Sequence, residues 1–354
     1  MLLALSAAVS LLAQTPPLLT TVPTRDQKIV RRWSVSGDPR GIAIGNDETV
    51  YIGLAQLQAV IAIDSKSGAI RRQIVLDSAE IASTKELVTL RTNRDRTRLY
   101  IANGSDESAT ILSLPDLGIR REITMEGETI RDVLPDPNGR YLYLLGRRVH
   151  VFDANGEHEI RTIAIDEPMA IATTSSGSLL AVVGSEMFGS NKATVVALYD
   201  TKNFAEVARE PLQTADVIEA ALFADRDRAL IAASRQHLFE KHLDTKPKAM
   251  SASGGQMRMS IDFGDLVSSD RIYLPDGSGP QIAVAGSGDL VLFAERRCNS
   301  SGAFTGAERR ITPASLYGVN AYALAYEPST NQLFATDRAG FLTVYRAPRP
   351  ASAK

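Results

Sequence analysis

Few residues in this chain have types that could carry chemistry: four histidines, one cysteine and three short motifs. His158-Glu159 opens the pattern in which two histidines four apart on a helix bind zinc. Thr162 stands where the second ligand is needed. His237 and His242 are five apart, an odd spacing that sends them to opposite faces of a strand, so they cannot share an ion. His150 stands alone. No Gly-x-Ser-x-Gly occurs, so the nucleophile elbow of a hydrolase is absent. Asp262-Phe263-Gly264 spells the kinase metal-binding triplet without the glycine-rich or catalytic loops that give it meaning. Gly286-Ser287-Gly288 lies between strand-like runs instead of leading into a helix, which removes the context of a nucleotide fingerprint. Cys298 follows Arg296 and Arg297, whose charge favours a thiolate, but no histidine is near it in sequence to act as a base. It reads as an incidental loop cysteine. Contiguous motifs assemble no catalytic set and no metal or cofactor site, so any site must be built from residues far apart in the chain.

The elements that would bring such residues together are repeats. From Pro39 to Leu76 the chain reads "PRGIAI", the turn "GNDE", "TVYIG", "AVIAIDSKSGAI" and "RRQIVL". These are short β-branched runs divided by Gly, Asn and Asp, the pattern of strands joined by hairpins. The same order returns as "LVTLRTNRDRTRLYIAN…ATILSLPDLGI…RREITM", then "RDVLPDPNGRYLYLLG…RVHVFDANGEH…EIRTIAI". It returns again as "MAIATTSSGSLLAVVG…ATVVALYDTKNF…AEVARE" and "EAALFADRDRALIAAS…QHLFEKHLDTK…PKAMSAS". Each unit spans roughly forty residues and four strands, the size of one propeller blade. Tyr51, Tyr100 and Tyr143 mark the second strand, with Ala181, Ile231, Leu292 and Phe334 in the same column. Asp64, Asp116, Asp153, Asp200 and Asp244 seed the turn after the third strand, because a short carboxylate can bond backbone N–H groups just ahead of it. Arg91, Arg94, Arg96 and Arg98 fall on a first hairpin and read as a solvated turn.

The sixth unit is weakest, with "QIAVAGSGDLVLFAE" and "RRITP", and residues 257–279 before it read as an inter-blade insertion. The seventh, "AYALAYEPSTNQLFATDRAGFLTVYRA", has only three strands. Its fourth is expected at the other end of the chain: "KIVRRWSV", Lys28 to Val35, matches the closing strands "AIRRQIVL" and "EIRTIAI". Such a join leaves no sheet edge open. The expected fold is all-β: one seven-bladed β-propeller of four-stranded antiparallel blades over residues 28–348, closed by an N-terminal strand. Residues 349–354 form a tail.

The strings "TVYIG…AVIAIDSKSGAIRRQIVL" and "RLYIAN…ATILSLPDLGIRREITM", with Pro39-Arg40-Gly41 leading into the first strand, resemble the YVTN-type β-propeller repeat. The wider group, related to WD-like repeats, includes quinoprotein amine dehydrogenase β-chain-like and lactonase-like propellers. In such folds the first strand of each blade lines a central channel, and ligands gather at one of its mouths. Aligning the second strands places Arg40, Glu86, Arg131, Met169, Glu219, Gln281 and Tyr322 around that mouth. Two arginines and two glutamates there could hold an anionic or zwitterionic ligand through charge-assisted bonds, or pair with one another as buried charges must.

The leading expectation is an exported scaffold of unassigned activity, non-catalytic or uncharacterised, that binds a partner protein or small ligand at the channel mouth and holds no cofactor. A lactonase-like hydrolase is the alternative that the resemblance implies, with Glu86 or Glu219 as base and Arg40 or Arg131 stabilising the oxyanion. A propeller subunit of a periplasmic amine dehydrogenase is the other. A tryptophan-derived cofactor could not reside in this chain, because Trp33 is its only tryptophan and belongs to the closing strand.

Composition bounds these readings. Among 354 residues, 39 Lys+Arg against 41 Asp+Glu give a formal net charge of -2, so no concentrated positive field awaits nucleic acid. A hydrophobic share of 44% excludes wholesale disorder, and a single cysteine excludes an intrachain disulfide. Leu2 to Ala13 is an uncharged apolar run, too short for the ~20 residues of a membrane span but suited to a signal peptide. Cleavage is expected near Ala13, with 14–27 a Pro/Thr-rich leader. The mature protein is expected to be periplasmic or extracellular and monomeric.

Overall fold

Short β-branched runs separated by turn residues leave the chain one way to bury its apolar groups: sheets stacked against sheets. In a computed structural model of the chain, the described residues are 18–24, 29–76, 87, 89–102, 107–188, 190–212, 217–224, 227, 229–234, 238–244, 262–268, 282–287, 290–295, 301–305, 310–312, 321–337 and 339–346. Among them every regular element is a β-strand, and no helix is long and apolar enough to cross a membrane.

These strands form seven antiparallel sheets. Blade one holds Pro39–Ile44, Thr49–Leu54, Ala59–Asp64 and Ile70–Val75, paired in that order. The innermost strands of successive blades touch in sequence, and that of blade seven touches that of blade one. The chain is a seven-bladed β-propeller.

Burial explains the strand composition. Thr49–Leu54 is buried throughout, because stacked blades cover both of its faces. Its side chains are therefore continuously apolar instead of alternating. The outer strand Ile70–Val75 faces water and carries Arg71, Arg72 and Gln73. The core lies between blades. Tyr51, Tyr100 and Tyr143 are all nearly fully buried, and each fills the wedge toward the next blade.

The aspartate turns are structural. Asp64 Oδ1 accepts the N–H groups of Lys66 (3.0 Å) and Ser67 (2.7 Å), and these bonds with the Arg71 ion pair hold its carboxyl far below the usual range. Asp153 does the same for Asn155 (2.9 Å), Glu157 (3.0 Å) and His158 (3.0 Å).

Blade seven joins both ends of the chain. Ile29–Val35 supplies its fourth strand, antiparallel to Phe341–Arg346, with Trp33 opposite Leu342. Lys28 lies outside the described residues. Leu19–Thr21, within the expected leader, adds a fifth strand with Leu19 opposite Val35.

Two local expectations need correction. Within 257–279, read as an insertion, Asp262–Ser268 is the fourth strand of blade five and pairs with Leu238–Asp244. The third strand otherwise has an open edge, and the chain fills it with a later run than "PKAMSAS", which lies outside the described residues. The arginine run also does more than coat a turn. Arg91 pairs with Asp132 of blade three. Arg96 reaches Gly45 O of blade one (2.9 Å) and Glu327 of blade seven (2.7 Å), and Arg98 donates to Ala154 O of blade three (2.9 Å). Turns from adjacent blades crowd together here, and their carbonyls need donors.

Candidate functional site

At the other end of the ring, the segment leading into each first strand meets the turn between the second and third strands. The register repeats: Arg131 N–H donates to Leu145 O (2.8 Å) in blade three, and Met169 N–H to Val183 O (2.7 Å) in blade four. In both blades the second strand then reaches a glycine that must lack a side chain. A Cβ on Gly146 would collide with the Glu128 carboxylate, and one on Gly184 would lie 2.8 Å from Asp166 O. The inter-blade connections pass that closely.

Blade four departs from the repeat here. Its second and third strands, Leu179–Phe188 and Asn191–Asp200, run ten residues each, against five or six in blades one to three. They stay paired to Phe188 opposite Asn191, so the hairpin overhangs the mouth. Glu186 on this extension ion-pairs with Arg209 of the outer strand Ala205–Pro211, bracing it sideways.

Under the overhang lies a cleft of about 610 Å³. It is lined by Ser185, Lys192, Ala193 and Thr194 of the hairpin and by Thr129, Arg131, Gly146 and Arg147 of blade three. Pro168 and Met169 line the cleft between them, and Val217, 61% exposed, lies at the approach to blade five. Arg131 Nη2 donates to Gly146 O (2.7 Å) and to Pro168 O. Its Nε and Nη1 make no hydrogen bond among the described residues. Burial pushes the Arg131 guanidinium down from its usual pKa, against the opposing pull of Asp132 and Glu128. Glu167 accepts from Ser185 Oγ (2.9 Å) and ion-pairs with Lys192, which hold its carboxyl below the usual range.

Beneath the blade-three wall lies His150, 6% exposed. Its Nδ1 is 2.8 Å from Glu159 and its Nε2 is 3.1 Å from Glu128. Glu128 also accepts the Arg148 N–H (3.0 Å), which couples the triad to the turn that lines the cleft. Burial raises the Glu128 and Glu159 carboxyls, but hydrogen bonds and the nearby imidazole outweigh it, and both sit below their ordinary value. Asp153, Glu157 and His158 carry ligand-type atoms within 4.8 Å of one another. Both Asp153 oxygens are engaged by backbone N–H groups and Glu157 meets Arg121 at 3.3 Å, so the group reads as a turn and no metal is assigned.

The residues expected around the mouth divide. Arg131 and Met169 line the cleft. Arg40 instead meets Asp38 (2.9 Å) and lies over the Tyr322 ring, 5.2 Å from its centroid. Glu219 is half-buried in the first strand of blade five and is not a lining residue. Glu86 and Gln281 lie outside the described residues, as do His237, Cys298 and the side chain of His242. Repeat matching passed over the hairpin wall. Its signal is the extra "SEMFGSNK" between "LLAVVG" and "ATVVALYD", a length no other unit has at that place.

No family model matches this chain, and no curated protein does. Among solved structures, the Cps50 (Swd1) β-propeller domain of Myceliophteria thermophila aligns at 12% identity, over 94% of this chain and 100% of that one, with TM-score 0.66. Hydrazine synthase from Kuenenia stuttgartiensis aligns at 13% identity, over 90% and 97%, with TM-score 0.63. A chain of the mitotic checkpoint complex aligns at 12%, over 98% and 100%, with TM-score 0.66. At such identities the likeness speaks for the fold alone, and the fold is a β-propeller.

Proposed function

We propose that this propeller is a binding scaffold, without a catalytic set, that takes a small ligand or partner protein at the mouth overhung by blade four. The observation that carries this reading is the cleft itself. Blade four lengthens its second hairpin beyond those of blades one to three, and it does so where an anchored arginine keeps donor groups unengaged. The cleft has the size of small-molecule sites, roughly 300–1,000 Å³. Its one lining carboxylate among the described residues, Glu167, is exposed, ion-paired and shifted down, which makes it a weak base and argues against hydrolysis there. Export from the cytoplasm belongs to the same proposal and rests on the apolar run Leu2 to Ala13. N-terminal sequencing of fractionated protein tests that part.

The mouth itself is tested by a thermal-shift screen against metabolite and protein panels, run on the wild type and on Ala193→Trp. Ala193 is a half-buried wall residue where an indole would fill the cleft. Stabilising hits that vanish in the variant support the reading. Hits that persist place binding elsewhere, and turnover of any hit would overturn the non-catalytic assignment.

A further inference from the structure

We infer that the cleft is a carboxylate site: it takes a small, singly charged organic acid, with the charged end at Arg131 and an apolar body along Pro168, Met169 and Ala193. The inference rests on the mouth being the working site and adds the chemistry of what enters it.

Charge comes first. Among the described residues, three cations line the cleft, Arg131, Arg147 and Lys192, against one carboxylate, Glu167. Lys192 is matched by Glu167 and Arg131 feels the nearby Asp132 and Glu128 carboxylates, which leaves Arg147 in excess. Arg147 is exposed and makes no ion pair among the described residues. An anion is therefore attracted, and a cation or a neutral polar molecule gains less.

Position comes second. Nη2 of Arg131 is tethered to the carbonyls of Gly146 and Pro168, on opposite walls of the inter-blade seam. The guanidinium is thus held in place before any ligand arrives, so little side-chain entropy is lost on binding. Its Nε and Nη1 remain to form charge-assisted hydrogen bonds.

The remaining lining sets the ligand's class. The same two carbonyl oxygens and the nearby Asp132 and Glu128 carboxylates put negative charge around the guanidinium. They repel a dianion such as phosphate more than a single carboxylate. Pro168 and Ala193 offer no hydrogen-bonding side chain, and the Met169 thioether is already taken by the Ile218 N–H (3.2 Å), so the rest of the ligand gains by being apolar.

The test is isothermal titration calorimetry at fixed ionic strength with hexanoate and phenylacetate, and with hexanamide, phenylacetamide and inorganic phosphate as controls. Both acids should bind the wild type, and the amides and phosphate should bind about tenfold more weakly or worse. Arg131→Gln should cost the acids about tenfold or more, the worth of one charge-assisted bond. Because Arg131 also ties two carbonyls, Ala193→Trp and Arg147→Gln serve as variants that leave those ties intact. The first should abolish acid binding and the second should weaken it. Amides that bind as tightly as acids, yet fail with Ala193→Trp, overturn the carboxylate assignment and leave the mouth reading standing. Acids that bind all variants unchanged overturn both. Failure of both acids to bind also ends the carboxylate assignment, and the wider screen then judges the mouth alone.

Discussion

Arg91 forks onto Asp132 across the seam between blades two and three, with Nε–Oδ1 at 3.1 Å and Nη2–Oδ2 at 2.8 Å. Both side chains are partly exposed, so solvent discounts the pair despite its two-point geometry. A double-mutant cycle of Arg91→Ala and Asp132→Ala, followed by urea denaturation, should give a coupling of about 0.5–1 kcal/mol. Asp132→Ala alone should cost more than Arg91→Ala, because Asp132 also accepts the Val133 N–H at 2.8 Å. A coupling indistinguishable from zero would mean the seam is held by its apolar core alone.

Gly68 has φ +75°, and a Cβ there would collide with the indole of Trp33. Gly68→Ala should therefore destabilise the fold by about 2 kcal/mol, from backbone strain and overpacking together. Trp33 is the sole tryptophan and sits in the fourth strand of blade seven, so its fluorescence reports that strand directly. In Gly68→Ala the emission should move to the red at lower urea than in wild type. An unchanged midpoint would show that the fourth strand of blade seven is not packed as described.

The His150 triad sets a pH dependence whose sign is fixed. Glu128 and Glu159 sit below the ordinary value of 4.5, so the unfolded chain binds protons first as pH falls. Their contribution is complete above 4.5 and is lost as pH drops through the lowered folded values. Stability of the wild type should fall along that limb. Glu128→Gln should lower stability by about 1–2 kcal/mol near neutrality and flatten the acid limb. Parallel acid limbs in variant and wild type would contradict this.

Ala193→Trp should leave folding intact. The side chain is half-buried on a hairpin extension, beyond the length of the other blades' strands. Its urea midpoint should correspond to wild type within about 0.5 kcal/mol. A large loss would show that the overhang is part of the core.

Much of this fold was legible because it repeats. Tyr51, Tyr100 and Tyr143 recur at one column since each fills the same inter-blade wedge, and Asp64 and Asp153 recur since the same turn needs the same cap. The match of "KIVRRWSV" to other closing strands led to the pairing of Trp33 with Leu342. What repetition hides is contact across blades. Arg96 meets Gly45 and Glu327 through turns that only the ring brings together, so its spacing in sequence carried no sign of them. The site was half legible. Arg131 and Met169 follow from register, but the wall of Ser185, Lys192 and Ala193 is an insertion, and matching repeats discards insertions.

The account's central claim is that the cleft under blade four is where this propeller binds. Methyl NMR of methionine-labelled protein tests it most directly, because Met169 lines the cleft and Met125 packs against the core between blades two and three. Titration with hexanoate should move the Met169 methyl saturably and leave Met125 in place, and Ala193→Trp should erase the response. A saturable shift that spares Met169, or one that survives Ala193→Trp, would contradict the claim.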